Sequence, residues 1–211
     1  MSRSTIFGLA LGATLMLPTA CLMGPLLSPA HAADIRVEAG PGSGPVTIYL
    51  EGRIGPSDLA MMELRLDQIA KQKPRPEIIV ALNSPGGDHF QGLRIGLLLR
   101  RSGVGTVVLP GKSCWSACSS IFFGGYDLKA GRPNRVAYSN AQIGVHQMAP
   151  TSGTVPDHVH KRVFNAAKQF LTDVEVSSRI QDKLFETSPW GMYILTTADM
   201  AESNISIRAA N

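Results

Sequence analysis

The chain has 211 residues, 44% of them hydrophobic and 17% charged, with a formal net charge of +4. That composition suits one compact domain with a sizeable core and excludes a disordered or fibrous protein. No run of Lys or Arg is long enough to make a nucleic-acid stripe, which excludes nucleic acid as a partner.

The stretch MSRSTIFGLALGATLMLPTACLMGPLLSPAHA opens with Arg3, continues through an apolar run and ends in Ala30-His31-Ala32. That small-x-small ending predicts a signal peptide over residues 1–32, cut after Ala32, and a single domain over 33–211 that is periplasmic or secreted. Pro18, Pro25 and Pro29 interrupt the apolar run before it reaches a comfortable spanning length, so no stable membrane anchor is expected. Lipidation at Cys21 is the alternative; the preceding Pro18-Thr19-Ala20 lacks the leucine expected three positions upstream.

Beyond the Gly/Pro-rich entry, the run from Val46 to Leu50 reads as a strand, and Ser57 can cap a helix marked by Leu59, Met62, Leu66 and Ile69. Glu77 to Leu82 is a continuous apolar run of buried-strand type. The turn NSPGGD then leads into a helix over Phe90 to Arg101, with Leu93, Leu97 and Leu98 on one face. GTVVLP is a third strand, Ser116 to Phe123 a third helix and Gln142 to Val145 another strand. Pro156 to Glu186 reads as largely helical, with Val159, Val163, Phe170, Val174, Ile180 and Leu184 as its apolar marks, and the tail as strand, short capped helix and strand. This alternation predicts an α/β fold with a mostly parallel sheet. No P-loop or dinucleotide fingerprint follows any strand, so no cofactor is expected.

Three places carry possible chemistry. In NSPGG, Pro85 and Gly86 suit a type II turn whose outward backbone N–H groups can hold an oxyanion, or make a turn and nothing more. Ser116, at a strand-to-helix junction, can be a nucleophile beside the N–H of Ala117, or simply a helix cap. His146, ending an apolar strand, can accept and return a serine proton, or be structural. His89, His158 and His160 sit among polar residues and read as solvated. Once the leader is removed, Cys114 and Cys118 are the remaining cysteines, an even pair in an oxidising compartment, and a disulfide is expected if Cys114 lies in the turn before the helix. Two thiols with no nearby third ligand leave a tetrahedral site half filled, so no metal is expected.

In their order, ALNSPGG, VVLPG, a serine flanked by small residues at a helix start, FFGG and IGVHQ resemble the Clp protease proteolytic subunit of the ClpP/crotonase superfamily, across roughly Val46 to Ile207. The Cys114/Cys118 bracket makes the chain look more specifically like exported ClpP-like periplasmic proteins. The resemblance implies stacked strand-helix units, a Ser116 nucleophile, a His146 base and an oxyanion hole from Gly86 or Gly87 with Ala117. It also implies a homo-oligomer acting on peptides or unfolded polypeptides, without ATP-driven feeding outside the cytoplasm. The tail LTTADMAESNIS carries Asp199 at the family's acidic position and Asn204 where glycine is usual. The family's catalytic aspartate falls on Met192, so the third member of the triad is missing, with Asp182, Glu186 or a loop acid as replacements. Two alternatives stand beside this reading: a weak or inactive binding or scaffold protein on the same fold, and a Ser-Lys peptidase like the signal peptide peptidases, with Lys168 as a desolvated base. An acyl-CoA enzyme lacks the basic cluster that coenzyme A phosphates require.

Overall fold

The computed structural model describes residues 32–42, 44–148 and 157–210, with the backbone alone at 157–161 and 163. The leader up to His31, most of the loop after His146, and the side chains of His158, Val159, His160 and Val163 lie outside the described residues.

In chain order the strands and helices are β1 (Asp34–Ala39), β2 (Val46–Glu51), α1 (Asp58–Ala70), β3 (Ile78–Asn83), α2 (His89–Ser102), β4 (Gly105–Val108) and β5 (Ser113–Trp115). They continue with α3 (Ala117–Phe123), β6 (Tyr126–Asp127), β7 (Arg132–Pro133), β8 (Arg135–Tyr138) and β9 (Gln142–Val145). The chain ends with α4 (Asp157–Asp173), α5 (Ser178–Glu186), β10 (Tyr193–Ile194), α6 (Thr197–Glu202) and β11 (Ile205–Arg208). Six strands form the main sheet in the order β1-β2-β3-β4-β8-β11, parallel throughout except for the antiparallel edge pair β1/β2. A second sheet, β10-β9-β5, pairs β5 and β9 in parallel and β10 against β9. The predicted α/β architecture with a mainly parallel sheet is therefore what the chain adopts.

Period-two burial drives the main sheet. In β2, Val46, Ile48 and Leu50 point into the core while Thr47, Tyr49 and Glu51 stay half-exposed. Each such buried aliphatic contributes about 1.5–3 kcal/mol. Helix α2 begins where the Asp88 carboxylate accepts the Gln91 N–H and ends at Gly103, whose left-handed φ of 67° closes the helix. Its fully buried stripe is Gly92, Ile95, Gly96 and Leu99, with Leu93, Leu97 and Leu98 packed at its margins. A Cβ on Gly92 would lie 2.4 Å from the Ala117 carbonyl oxygen, and one on Gly96 would lie 2.4 Å from that of Ser120. The two glycines let α3 settle directly onto α2, which sets the depth of the Ser116 junction.

Several sequence expectations need correction. Ser57 occupies the N-cap of α1 but its hydroxyl makes no capping bond; instead the Gln91 side-chain carbonyl accepts the Leu59 N–H at 3.3 Å. Strands β1 and β8 were not expected, and the long helical stretch after Pro156 is broken between α4 and α5, where Glu175 takes a positive φ of 61°. Buried Arg135 on β8 fixes that break, donating to the carbonyls of Val174 and Ser203.

Candidate active site

Ser116 joins β5 to α3 at φ 56° and ψ −124°, a backbone conformation that side chains other than glycine's rarely adopt and that costs about 1–3 kcal/mol. The surroundings impose it: the Ser116 N–H donates to the Gly144 carbonyl at 2.9 Å, and the Ser116 carbonyl accepts both the N–H and the hydroxyl of Ser119. The Ser116 hydroxyl makes no capping bond. Its geometry is that of a sharp strand-turn-helix elbow, at which Ser116 is partly exposed.

Cys114 and Cys118 are bridged across this elbow, with Cα atoms 5.1 Å apart. Cys114 sits on β5 itself rather than in the turn, and the strained turn between strand and helix is what brings the two sulfurs together.

The NSPGG turn lies directly against the elbow. Gly86 has φ 96°, as the second central position of a type II turn requires, and a Cβ there would lie 2.7 Å from the Ser116 Cβ and 3.2 Å from the Ala117 nitrogen. The Gly86 N–H is occupied, donating to Ser84 Oγ at 3.1 Å. The Gly87 and Ala117 N–H groups have no hydrogen-bond partner among the described residues. Ile54 clamps the turn from the other side: its N–H donates to the Gly86 carbonyl at 2.9 Å and its carbonyl accepts the Asp88 N–H at 3.0 Å.

His146 follows β9 immediately. The parallel register sets Trp115 beside Gly144, and the Ser116 N–H donates to the Gly144 carbonyl, so the elbow lies against the end of β9, two residues before His146. Gln147 anchors this strand end, its N–H donating to the Thr187 carbonyl and its side-chain amide to the Phe185 carbonyl at the end of α5. The His146 ring is half-buried, and its Nδ1 is buried with no hydrogen-bond partner. Burial pulls its pKa below the ordinary histidine value, opposed by the Pro189 carbonyl, so the neutral ring is favoured. No hydrogen bond joins Ser116 and His146.

The antiparallel register of β10 on β9, Tyr193 beside Val145 and Ile194 beside Gly144, brings Met192 opposite His146. The Met192 thioether packs over Gly144, where a Cβ on the glycine would lie 2.6 Å from its Sδ, so this strand position carries no acid. Asp182 and Glu186 do not replace it: both are exposed on α5, and Glu186 pairs with Lys183 at 3.6 Å. Asp199 is buried in a separate arrangement, closing a capping box with Thr196 and receiving the Tyr193 hydroxyl and the Arg179 guanidinium, each at 2.8 Å. Burial pushes the Asp199 pKa up, and the Thr196 and Tyr193 hydrogen bonds with the Arg179 charge more than offset this, leaving it lowered. Lys168 is exposed on α4, so the desolvation that a lysine base needs is absent.

One neighbour of the site was missed in the sequence. His89, read as solvated, is only partly exposed and has a buried, unpartnered Nε2. Burial drags its pKa down to about 4, with Asp88 raising it and nearby His146 lowering it further. The sequence signal is its place two residues after SPGG, where Asp88 caps and His89 begins α2.

No family model matches the chain, and no curated protein matches it. Solved structures do. A mutant of the 1510-N membrane-bound stomatin-specific protease is similar with a TM-score of 0.56 and 17% identity, over 77% of each chain. ClpP1 from Listeria monocytogenes is similar with a TM-score of 0.59 and 17% identity, over 78% of this chain and 92% of that one. At this identity the likeness establishes architecture, and together with the sheet order described above it shows that the chain has a ClpP-like α/β fold.

Proposed function

We propose that the chain is an exported serine hydrolase, a peptidase that acts without ATP on peptides or unfolded polypeptides, and that it works as a homo-oligomer. The observation that carries this reading is the strained, uncapped Ser116 at the β5–α3 elbow, one strand from His146. With Nδ1 buried, His146 Nε2 takes the Ser116 proton as Oγ attacks the scissile carbonyl. The Gly87 and Ala117 N–H groups receive the oxyanion. Protonated His146 then donates to the leaving amine, and water, activated by the same imidazole, hydrolyses the acyl-enzyme. The Cys114–Cys118 bridge supports export, because such pairs persist in oxidising compartments, and it holds the elbow in shape.

Met192 opposite His146 supports a second reading, a binding or scaffold protein that retains the fold. Hydrolysis of small peptide and ester substrates by the wild type and by Ser116→Ala separates the two. The proposal expects activity in the wild type and loss of at least about a hundredfold in the variant. Equal residual rates would leave the scaffold reading standing.

A further inference from the structure

The start of the described chain meets a buried acid. Asp58, the first residue of α1, is fully buried, and its Oδ2 accepts the Gly55 N–H at 2.8 Å and the Ala33 N–H at 3.1 Å. Its other oxygen, Oδ1, is buried without any partner. A carboxylate in that state is costly: one oxygen receives two neutral donors, the other none, and among the described residues no cation pairs with it. Ala33 is also the residue on which a cut after Ala32 would leave a new amine.

We infer that Asp58 is the receptor for an α-ammonium group created at Ala33 when the leader is removed. The inference rests on the export reading, and not on the catalytic role of Ser116. Hydrolysis of the Ala32–Ala33 amide by a signal-type endopeptidase consumes one water. Ala32 departs as a carboxylate, and Ala33 keeps the nitrogen, which is protonated near neutral pH. The nitrogen already lies in hydrogen-bond reach of Asp58, and on cleavage its single N–H becomes three donors and a positive charge. These can serve both Oδ2 and the orphaned Oδ1. Departure of Ala32 also frees the space over Gly55, where a Cβ on the glycine would now lie 3.1 Å from the Ala32 Cα.

The pocket sits beside the candidate site. Gly55 is bonded to Asp58 and follows Ile54, the residue that clamps the Gly86–Gly87 turn and the start of α2. Cutting the leader therefore tightens the segment that holds the oxyanion turn.

The test compares the chain released with Ala33 as its free first residue and the same chain carrying a Gly-Ser extension before Ala33, each with Asp58 and with Asp58→Asn. The Ala33 chain should melt about 5 °C or more above the extended chain, and Asp58→Asn should erase that difference. Its unmodified α-amine, followed through the Ala33 resonances of ¹³C-alanine-labelled protein titrated by NMR, should have a pKa above the ordinary range of about 7.7–8.0. Backbone amide exchange at Ile54 and Asp88 should be slower in the Ala33 chain. Should Asp58→Asn fail to fold, the amine titration and the extension alone still decide. Equal melting temperatures with an ordinary amine pKa would overturn the inference, as would mass spectrometry of the exported protein showing a first residue other than Ala33. None of these readouts depends on hydrolase activity.

Discussion

Replacing Gly86 by alanine tests how tightly the NSPGG turn and the Ser116 elbow are fitted together. Two costs add. At φ 96° a side chain other than hydrogen is strained by about 1–3 kcal/mol. The new methyl would also lie 2.7 Å from the Ser116 Cβ and 2.8 Å from the Trp115 carbonyl oxygen, so backbone on one side must move, at a further cost of about 1–3 kcal/mol. Gly111→Ala is the matching control, because Gly111 has φ 70° but nothing within 4 Å of an added Cβ, which leaves strain without contact. For a domain of this size each kcal/mol shifts the melting temperature by about 2–4 °C. Gly111→Ala should therefore lower it by only a few degrees and Gly86→Ala by about 10 °C. Reaction of Ser116 with an acylating probe should be unchanged in the first variant and nearly lost in the second. Equal melting shifts with normal reactivity in Gly86→Ala would refute the claim that turn and elbow form one unit.

Ser116→Gly should relieve the strain at φ 56°, a gain partly offset by about 0.5–1 kcal/mol of added chain entropy, and so raise the melting temperature by a few degrees while abolishing activity. A melting temperature below that of the wild type would show that the conformation is not strained. The rate of hydrolysis should fall on acidification with a midpoint below 6.5, since burial lowers the His146 pKa and the base works only when neutral; a pH-rate profile with its acid limb above 6.5 would contradict this. Met192→Asp should raise kcat/KM at least about tenfold by supplying an acid opposite His146, a triad aspartate being worth up to about 10⁴. An unchanged rate would mean that the missing acid is not what limits the reaction.

Much of this architecture is legible in the sequence because apolar runs of strand length alternate with helical patterns. The buried β3 and the exactly paired β9 come from such runs. Strand β1 escapes detection because DIRVEA buries only Ile35 and pairs along an edge, where charged residues are tolerated. Strand β8 is hidden by Arg135, a residue that local pattern assigns to solvent and that tertiary contacts bury through the carbonyls of Val174 and Ser203. Ser116, the glycines and His146 could be listed from their motifs, but their proximity depends on the parallel pairing of β5 with β9, which is non-local. The same is true of Met192: the motif resemblance singles it out by counting back from Leu195, and only the β9/β10 register brings it beside the end of β9. His89 escapes the sequence reading because its burial, and its nearness to His146, come from tertiary packing that the local pattern does not show.

The central claim is that Ser116 is an activated nucleophile, and a fluorophosphonate probe measures this without knowledge of the substrate. The wild-type domain, with its Cys114–Cys118 bridge intact, should gain one phosphonyl group, mapped by peptide mass spectrometry to Ser116. Ser116→Ala should gain none, and His146→Ala should label at least about a hundredfold more slowly. A folded wild-type protein that stays unlabelled, or labels equally in all three forms, would contradict the account.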